Sequence, residues 1–325
     1  LKTLAASDLT PFIDAGFRVE SHIPLSSLGT FQIGGPAQCL IRCETPDYLG
    51  RLRALCFENT LSAILLGEGS NLLFSDEGWP GLIVRYVSFD ALPIQEQDGN
   101  WRFNAALDLQ VVVKWAIENG LSGLEAFSGI PGTLGGAVVG NAGAWGVQME
   151  HILESVIGYD QKGERHIRSV ADCGFSYRNS AVKHEDFWVS EVSLKLESGD
   201  TEFLNQEHTR ILEMRAARHP DWKTIPCIGS FFKNLEPSSA AERRQAAGFF
   251  LEQAGAKDQK VGGAAVFQGH ANILIKKRSQ CTAVDIATLA RTLQASVKEM
   301  HGIDLIREVR YLGEIEGESA GHGFY

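Results

Sequence analysis

The stretch GIPGTLGGAVVGNAGAWG, residues 129–146, decides how this chain is read. Seven of its eighteen residues are glycine, and it holds no Lys, Arg, Asp or Glu. It is not a Walker loop, because no Gly-Lys-Ser/Thr occurs in it. Such glycines would let main-chain N–H groups, rather than side chains, cradle a phosphate, or let a flat ring lie against bare backbone. A glycine-rich packing junction would look the same, and the residues alone leave both readings open. The uncharged span from Ala126 to Met149 is long enough to cross a bilayer, but Gly, Pro131 and Asn141 break it. Loop and short helix are expected there.

A second glycine loop, containing GEGSN (67–71), follows the apolar run LSAILL (61–66) directly. It is not a Rossmann fingerprint, since Leu72 stands where the third glycine belongs and no clear helix follows. Two separated glycine-rich loops fit one dinucleotide held by main chain.

The surrounding pattern is mixed. AQCLIRC (37–43), LSAILL and GLIVRYV (81–87) read as strands. Thr45 caps a helix with Pro46 in its first turn, through about Glu58, so a β-α-β unit opens the chain. WRFNAAL (101–107) reads as a strand, and Asp108 caps a helix that Gly120 stops. Residues 152–160, 165–170 and 187–198 read as strands of an antiparallel sheet. Helices are expected at about 202–217, 240–255 and 282–302, with strands at 271–277 and 304–313. A β-rich middle followed by an α+β third is not the regular alternation of one doubly wound sheet. The fold class expected is α+β.

The 325 residues are 44% hydrophobic and 22% charged, ordinary globular composition with material for two or three cores. Formal net charge is −10. That does not suit nucleic acid or an acidic membrane as a main partner, because phosphates need a cationic footprint. Six cysteines are too sparse for a disulfide scaffold. In CLIRC (39–43) the two thiols lie about 13 Å apart if the segment is a strand, beyond the reach of one ion. Reduced structural cysteines and no metal are expected, in a cytoplasmic protein. The first twenty residues have no apolar h-region, so no signal peptide is read there.

Four short motifs carry candidate chemistry. FSYRNS (175–180) offers Tyr177 and an Arg fork, Arg178, suited to a carboxylate or phosphate. RAARHP (215–220) puts two arginines, the first Arg215, on one helix face. GSFFKN (229–234) places Ser230 and Lys233 beside two phenylalanines, where a sheltered serine could donate a proton. REVRYLG (307–313), read as a strand, sends Glu308 and Arg310 to one face and Val309 and Tyr311 to the other. Read alone, each of these is more simply a surface or turn feature.

Their order is more telling. LGTFQIGGPA (28–37), LLGEGSNLLFSD (65–76), GLEAFSGIPGTLGGAVVGNAGAWG (123–146), FSYRNS, GSFFKN, GGAAV…HAN (262–272) and REVRYLG follow one another across nearly the whole chain. This resembles the UDP-N-acetylenolpyruvoylglucosamine reductases (MurB), FAD enzymes of bacterial peptidoglycan synthesis. The resemblance implies three domains: 1–80 with 303–325, and 81–213, both holding FAD in a fold of the vanillyl-alcohol-oxidase type, and 214–302, closing the substrate site.

By motif, Gly67, Gly69, Ser70 and Asn71 match the pyrophosphate loop. Gly129, Ile130, Pro131, Gly132, Gly136, Asn141 and Ala142 match the loop around the diphosphate and isoalloxazine, which would accept the flavin through backbone amides. Thr30 and Gly34 match the first FAD-contacting segment. Ser230 matches the family's proton donor, and Arg178 and Glu308 the pair that polarises the substrate carboxylate. Tyr177, Arg215 and Lys233 match substrate contacts. The implied reaction uses non-covalent FAD and NADPH, in a protein expected to be monomeric. Departures are Gly29 for the usual Asn, Leu235 for the usual Pro, and little room for the tyrosine loop of one subtype. The competing readings are another flavin oxidoreductase of the same fold, and a non-catalytic flavin or nucleotide-sugar binder. The first usually attaches its flavin through His or Cys, and neither glycine loop contains one.

Overall fold

The computed structural model describes residues 3–88, 92–237 and 244–318. Helix α1 (Ala6–Asp14) leads into β1 (Val19–Pro24) and β2 (Pro36–Cys43). Helix α2 (Pro46–Glu58) follows, its start set by the Thr45 hydroxyl accepting the Tyr48 amide and by Pro46 in the first turn. Then come β3 (Ala63–Leu66), β4 (Leu72–Phe74) and β5 (Trp79–Tyr86). The first sheet has the order β1-β2-β5-β3, antiparallel at β1/β2 and parallel elsewhere. The opening β-α-β unit is therefore present. A boundary at residue 80/81 would cut β5, so the first sheet extends to Tyr86.

The second sheet uses β6 (Ile94–Gln95), β7 (Trp101–Asn104), β8 (Leu153–Tyr159), β9 (Arg165–Ser169) and β10 (Trp188–Leu194). It is antiparallel throughout, in the order β9-β8-β10-β7-β6. Asp108 caps α3 (Leu109–Glu118) by accepting the Gln110 and Val111 amides. Within the opening stretch, Thr133 caps a short helix, α4 (Leu134–Val139).

Helix α2 joins the two sheets. Its buried face is Leu49, Gly50, Leu52, Arg53 and Cys56, and a Cβ on Gly50 would stand 2.3 Å from the Tyr159 ring on β8. Arg53 is buried, ion-paired with Asp186, and its guanidinium lies 4.8 Å above the Trp188 ring. One apolar cluster thus runs from Phe12 and Ile41 through Leu52 to Phe103 and Val192. Each fully buried Leu in it contributes about 1.5–3 kcal/mol.

Helix α5 (Thr201–Ala216) leads to the last third. Its sheet, β11 (Cys227–Ser230), β12 (Lys260–Val261), β13 (Ala264–Val266) and β14 (Ile273–Lys276), has the order β11-β14-β13-β12. Helices α6 (Ala247–Gln253) and α7 (Ala283–His301) flank it around a second core. The helix expected at 240–255 is shorter, because Leu235 and Gln245 pair as a bridge just before it. Its first residues fall outside the described ones.

The last strand also contracts. β15 is Arg310–Leu312, parallel to β4, not 304–313. Upstream, Arg307 bridges Phe232, and the Glu308 amide donates to the Phe231 carbonyl at 2.9 Å. The backbone of 307–308 is taken by the segment after Ser230, so it cannot extend the β4 ladder. Similarly, the strand expected at 187–198 stops at Leu194, and Glu197–Ser198 pairs with Leu121–Ser122. All six cysteines are buried and unpaired. Among the described residues, no helix is long and apolar enough to cross a membrane.

Candidate active site

The two glycine loops meet. A Cβ on Gly67 would lie 2.8 Å from the Thr133 hydroxyl, and one on Gly132 would lie 2.7 Å from the Ser70 hydroxyl. Gly132 has φ +123°, which no side chain tolerates comfortably. The 28–34 segment closes on the same place. Gly69, at φ +60°, would put a Cβ 2.7 Å from the Leu28 carbonyl and 2.9 Å from Gly29 Cα. A Cβ at 29 would in turn meet Phe74 at 2.7 Å, which accounts for glycine there. A Cβ on Gly34 would also meet Phe74, at 2.6 Å. Thr30 is 2% exposed, and its hydroxyl has no hydrogen-bond partner among the described residues. A buried orphan hydroxyl costs stability unless a ligand completes it.

Most of the amides along 129–142 already have acceptors within the protein. The Gly129 amide donates to Gln110 Oε1 at 2.5 Å, and the Ile130 amide to the Phe127 carbonyl at 3.0 Å. The Gly136 amide donates to the Thr133 hydroxyl, and those of Asn141 and Ala142 to the Val138 and Ala137 carbonyls. Even the first amides of α4 are spent, Leu134 on Leu107 and Gly135 on Ala105. Pro131 has none. Glycine serves mainly close approach here. The amides of Gly132 and Thr133, like those of Gly69 and Ser70, donate to no backbone carbonyl among the described residues.

Asn141 is fully buried, and its side chain faces protein. Its amide donates to Glu150 Oε1 at 2.9 Å and to the Ser176 carbonyl at 3.0 Å, tying the glycine loop to the FSYRNS turn. In that turn Ser176 and Asn179 exchange both backbone hydrogen bonds, leaving Tyr177 and Arg178 at the tip. Arg178 has φ +56°, a conformation costing a non-glycine residue about 1–2 kcal/mol. Strain of this kind persists where the surroundings over-determine it, and is concentrated at functional sites.

Here the surroundings do so. Arg178 Nε pairs with Glu308 Oε1 at 2.9 Å, and Nη2 donates to the Gly143 carbonyl at 2.7 Å. Burial pushes the Glu308 carboxyl up, and the Arg178 guanidinium pulls it back. The Asn71 side chain donates to the Glu308 carbonyl at 3.4 Å, and the Arg310 amide donates to the Asn71 carbonyl. Asn71 is thus a bracket between the first loop and the Glu308 segment. Ser230, half-buried at the end of β11, immediately precedes Phe231, whose carbonyl takes the Glu308 amide. The structure therefore brings Arg178 and Glu308 into contact, with Ser230 on the adjoining backbone.

The expected substrate residues gather around this pair. Arg215 lies against Gly129, whose Cβ would meet its Cδ at 2.8 Å, and Arg178 lies close enough to lower its pKa further after burial. Lys233 donates its amide to the Ile306 carbonyl, and its charge is felt by Glu308. Tyr177 is flanked by two guanidinium groups, Arg244 at 3.8 Å and Arg178 at 5.1 Å from its ring centre. Three participants were not read from the motifs: Arg244, Lys183 and Asn272. Asn272 holds Phe232 by both backbone groups, at 2.9 and 2.8 Å, and so fixes the segment carrying Ser230. Its place in the HAN motif was visible, but its partner 40 residues away was not.

Comparison with known proteins identifies the family. Residues 219–312 match the sequence model for the UDP-N-acetylenolpyruvoylglucosamine reductase C-terminal domain, and residues 37–166 match an FAD binding domain. The UDP-N-acetylenolpyruvoylglucosamine reductase of Solibacter usitatus is 34% identical over 309 residues, 91% of this chain and 97% of that protein. That of Carboxydothermus hydrogenoformans is 33% identical over 291 residues, 90% and 93% of the two chains. The crystal structure of the Thermus caldophilus reductase (MurB) superposes with a TM-score of 0.76 at 30% identity, covering 91% of this chain and all of that one. The fold is α+β, with the flavin-binding architecture of the vanillyl-alcohol-oxidase type. The chain belongs to the UDP-N-acetylenolpyruvoylglucosamine reductase family.

Proposed function

We propose that this chain reduces UDP-N-acetylenolpyruvoylglucosamine to UDP-N-acetylmuramate, using NADPH and FAD, in peptidoglycan precursor synthesis. The observation that carries the reading is the Arg178–Glu308 pair standing beside two converging glycine loops. The residues fit a flavin dinucleotide. Among the described residues the Thr30 hydroxyl is buried without a partner, the Gly69 and Ser70 amides are available for a pyrophosphate, and Gly67 and Gly132 keep the floor bare. Bound there, FAD would supply the redox relay, taking hydride from NADPH and passing it to C3 of the enol ether.

The protein's task is then electrostatic. Hydride arriving at C3 pushes the electron pair of the double bond toward C2 and the conjugated carboxylate. Arg178, held by Glu308 and Gly143, presents cationic N–H groups preorganised for that carboxylate. Ser230 would donate the proton to C2 as general acid. Lys233, Arg215 and Tyr177 would hold the anionic substrate. The first domain comprises the first sheet to Tyr86 with the returning C-terminal residues, the second follows to about 213, and 214–302 forms the substrate domain. Only residues 195–200 separate β10 from α5, which leaves no space for a substrate-covering tyrosine loop. We propose a cytoplasmic monomer, its affinity directed to anionic small molecules and not to nucleic acid or membrane.

The test is stopped-flow absorbance on Ser230→Ala. The FAD-loaded variant is reduced with NADPH and then mixed anaerobically with the enolpyruvyl sugar nucleotide. Reduction at near wild-type rate with failure to reoxidise places Ser230 in the second half-reaction. If both halves run normally, the proton comes from elsewhere. A yellow wild-type protein that never oxidises NADPH would favour a non-catalytic flavin binder instead.

A further inference from the structure

We infer that Lys183 is a positioning residue of this site, holding Arg178 in its left-handed turn and supplying the positive charge that the substrate carboxylate completes. The inference rests on the reductase reading above.

Lys183 is anchored from the glycine-rich side. Ser180 is fully buried, its hydroxyl donating to the Val139 carbonyl at the end of α4 (2.7 Å) and accepting the Lys183 amide (3.2 Å). From that root the ammonium reaches back and donates to the Arg178 carbonyl at 3.1 Å. The bond closes a ring around residues 178–183. It fixes the peptide whose φ is +56°, and hence the direction in which the Arg178 guanidinium leaves the chain. Arg178 therefore has its side chain set by Glu308 and Gly143 and its backbone set by Lys183.

A backbone staple alone does not call for charge. Burying an ammonium is costly unless it is compensated. The groups near Lys183 are three cations, Arg310, Lys233 and Arg178, one carboxylate, Glu308, and the imidazole of the neighbouring His184, whose own pKa burial and Lys183 lower. Arg178 and Glu308 already neutralise each other. Burial first, then Arg310 and Lys233, push the Lys183 ammonium down to about 8. Lys233 and Lys183 itself carry positive charge beyond that pair, and an entering anion balances it. Lys183 is thus built to stabilise Arg178 most strongly in the presence of the substrate carboxylate.

The test measures kcat and KM for the enolpyruvyl sugar nucleotide from pH 6 to 10, on FAD-loaded wild type, Lys183→Met, Lys183→Gln and Lys183→Arg. Flavin absorbance and far-ultraviolet circular dichroism verify folding. For wild type, kcat/KM should fall along a limb with a midpoint near the Lys183 value of about 8. Lys183→Met should lower kcat/KM at pH 7 about tenfold and lose that limb, because a charge-assisted hydrogen bond is gone. Lys183→Gln keeps a donor without charge and should fall between. Lys183→Arg should recover most of the activity and show no limb near pH 8, which decides the matter even if the methionine variant fails to fold. Variants that keep both the wild-type kcat/KM and the limb overturn the inference. If wild type binds the sugar nucleotide calorimetrically but does not turn it over, the reductase reading fails alone. The same variants' affinities then decide the role of Lys183. A wild type that neither binds nor turns it over sinks both.

Discussion

Glu308 is held in a nearly dry place by one partner. Its side chain is 19% exposed, and Arg178 Nε, 2.9 Å away, is the counter-charge that keeps burial from protonating it outright. Removing that partner should therefore be felt in stability as well as in catalysis. Arg178→Met leaves a buried carboxylate unpaired, at an expected cost of about 1–3 kcal/mol at pH 8. The sign with pH follows from linkage. Burial already holds the folded carboxyl's pKa above its unfolded value, and without Arg178 it stands higher still. The native state then holds a proton that the unfolded state releases. Stability of the variant is best below the unfolded pKa and is lost as pH rises through the folded one. Urea midpoints of wild type and variant should lie closer at pH 5 than at pH 8. Equal gaps at both pH values would mean that the Glu308 charge is not what the arginine compensates.

Among the elements, α7 shows how one side chain ties separate parts of the chain. Its own cap is local: the Thr282 hydroxyl accepts the Asp285 amide, and Asp285 reaches back to the Thr282 amide, a capping box. The next two first-turn amides, of Ala283 and Val284, are satisfied from far away by the Asp76 carboxylate at 2.9–3.3 Å. Asp76 follows β4, the partner of β15 and the neighbour of the first glycine loop. Its charge also opposes the positive end of the helix. Asp76→Ala should cost about 1–2 kcal/mol and Asp76→Asn less than about 1, by denaturant titration. A loss confined to the last third, by hydrogen exchange, would show that Asp76 serves only α7. A loss that also loosens 67–74 would show that it couples the two.

For the whole molecule, the glycine loops, the 28–34 segment and the segment after Ser230 are carried by three sheets and meet in one place. FAD bound there would touch the glycine loops and the 28–34 segment, and would bind only the folded chain. At a free concentration a hundredfold above Kd, it adds about 2.7 kcal/mol. Stripping FAD should lower Tm by several degrees, and adding it back should restore Tm in proportion to the logarithm of FAD concentration. A Tm indifferent to FAD would remove the cofactor from this cleft.

Much of this was legible along the chain because it is decided locally. Caps and their helices were read correctly at Thr45 and Asp108, since a cap side chain reaches amides only two or three residues away. The antiparallel middle sheet was readable from its strand-like runs, and loop with short helix within 129–146 from the glycines, Pro131 and Asn141. Tertiary structure decided the rest. Whether the 129–142 amides face a ligand depends on Gln110, Leu107 and Ala105 standing across from them, and no local rule places those acceptors. Where the last strand begins depends on Phe232 competing for the backbone of 307–308. Lys183 reads as an ordinary surface lysine in AVKHED. It becomes part of the site only because Glu308 and Arg310, far along the chain, fold against it. Helix caps and strand alternation are set by contacts within one turn or one pleat. The charge balance of the cleft is set by contacts across more than a hundred residues, which only the folded chain brings within reach of one another.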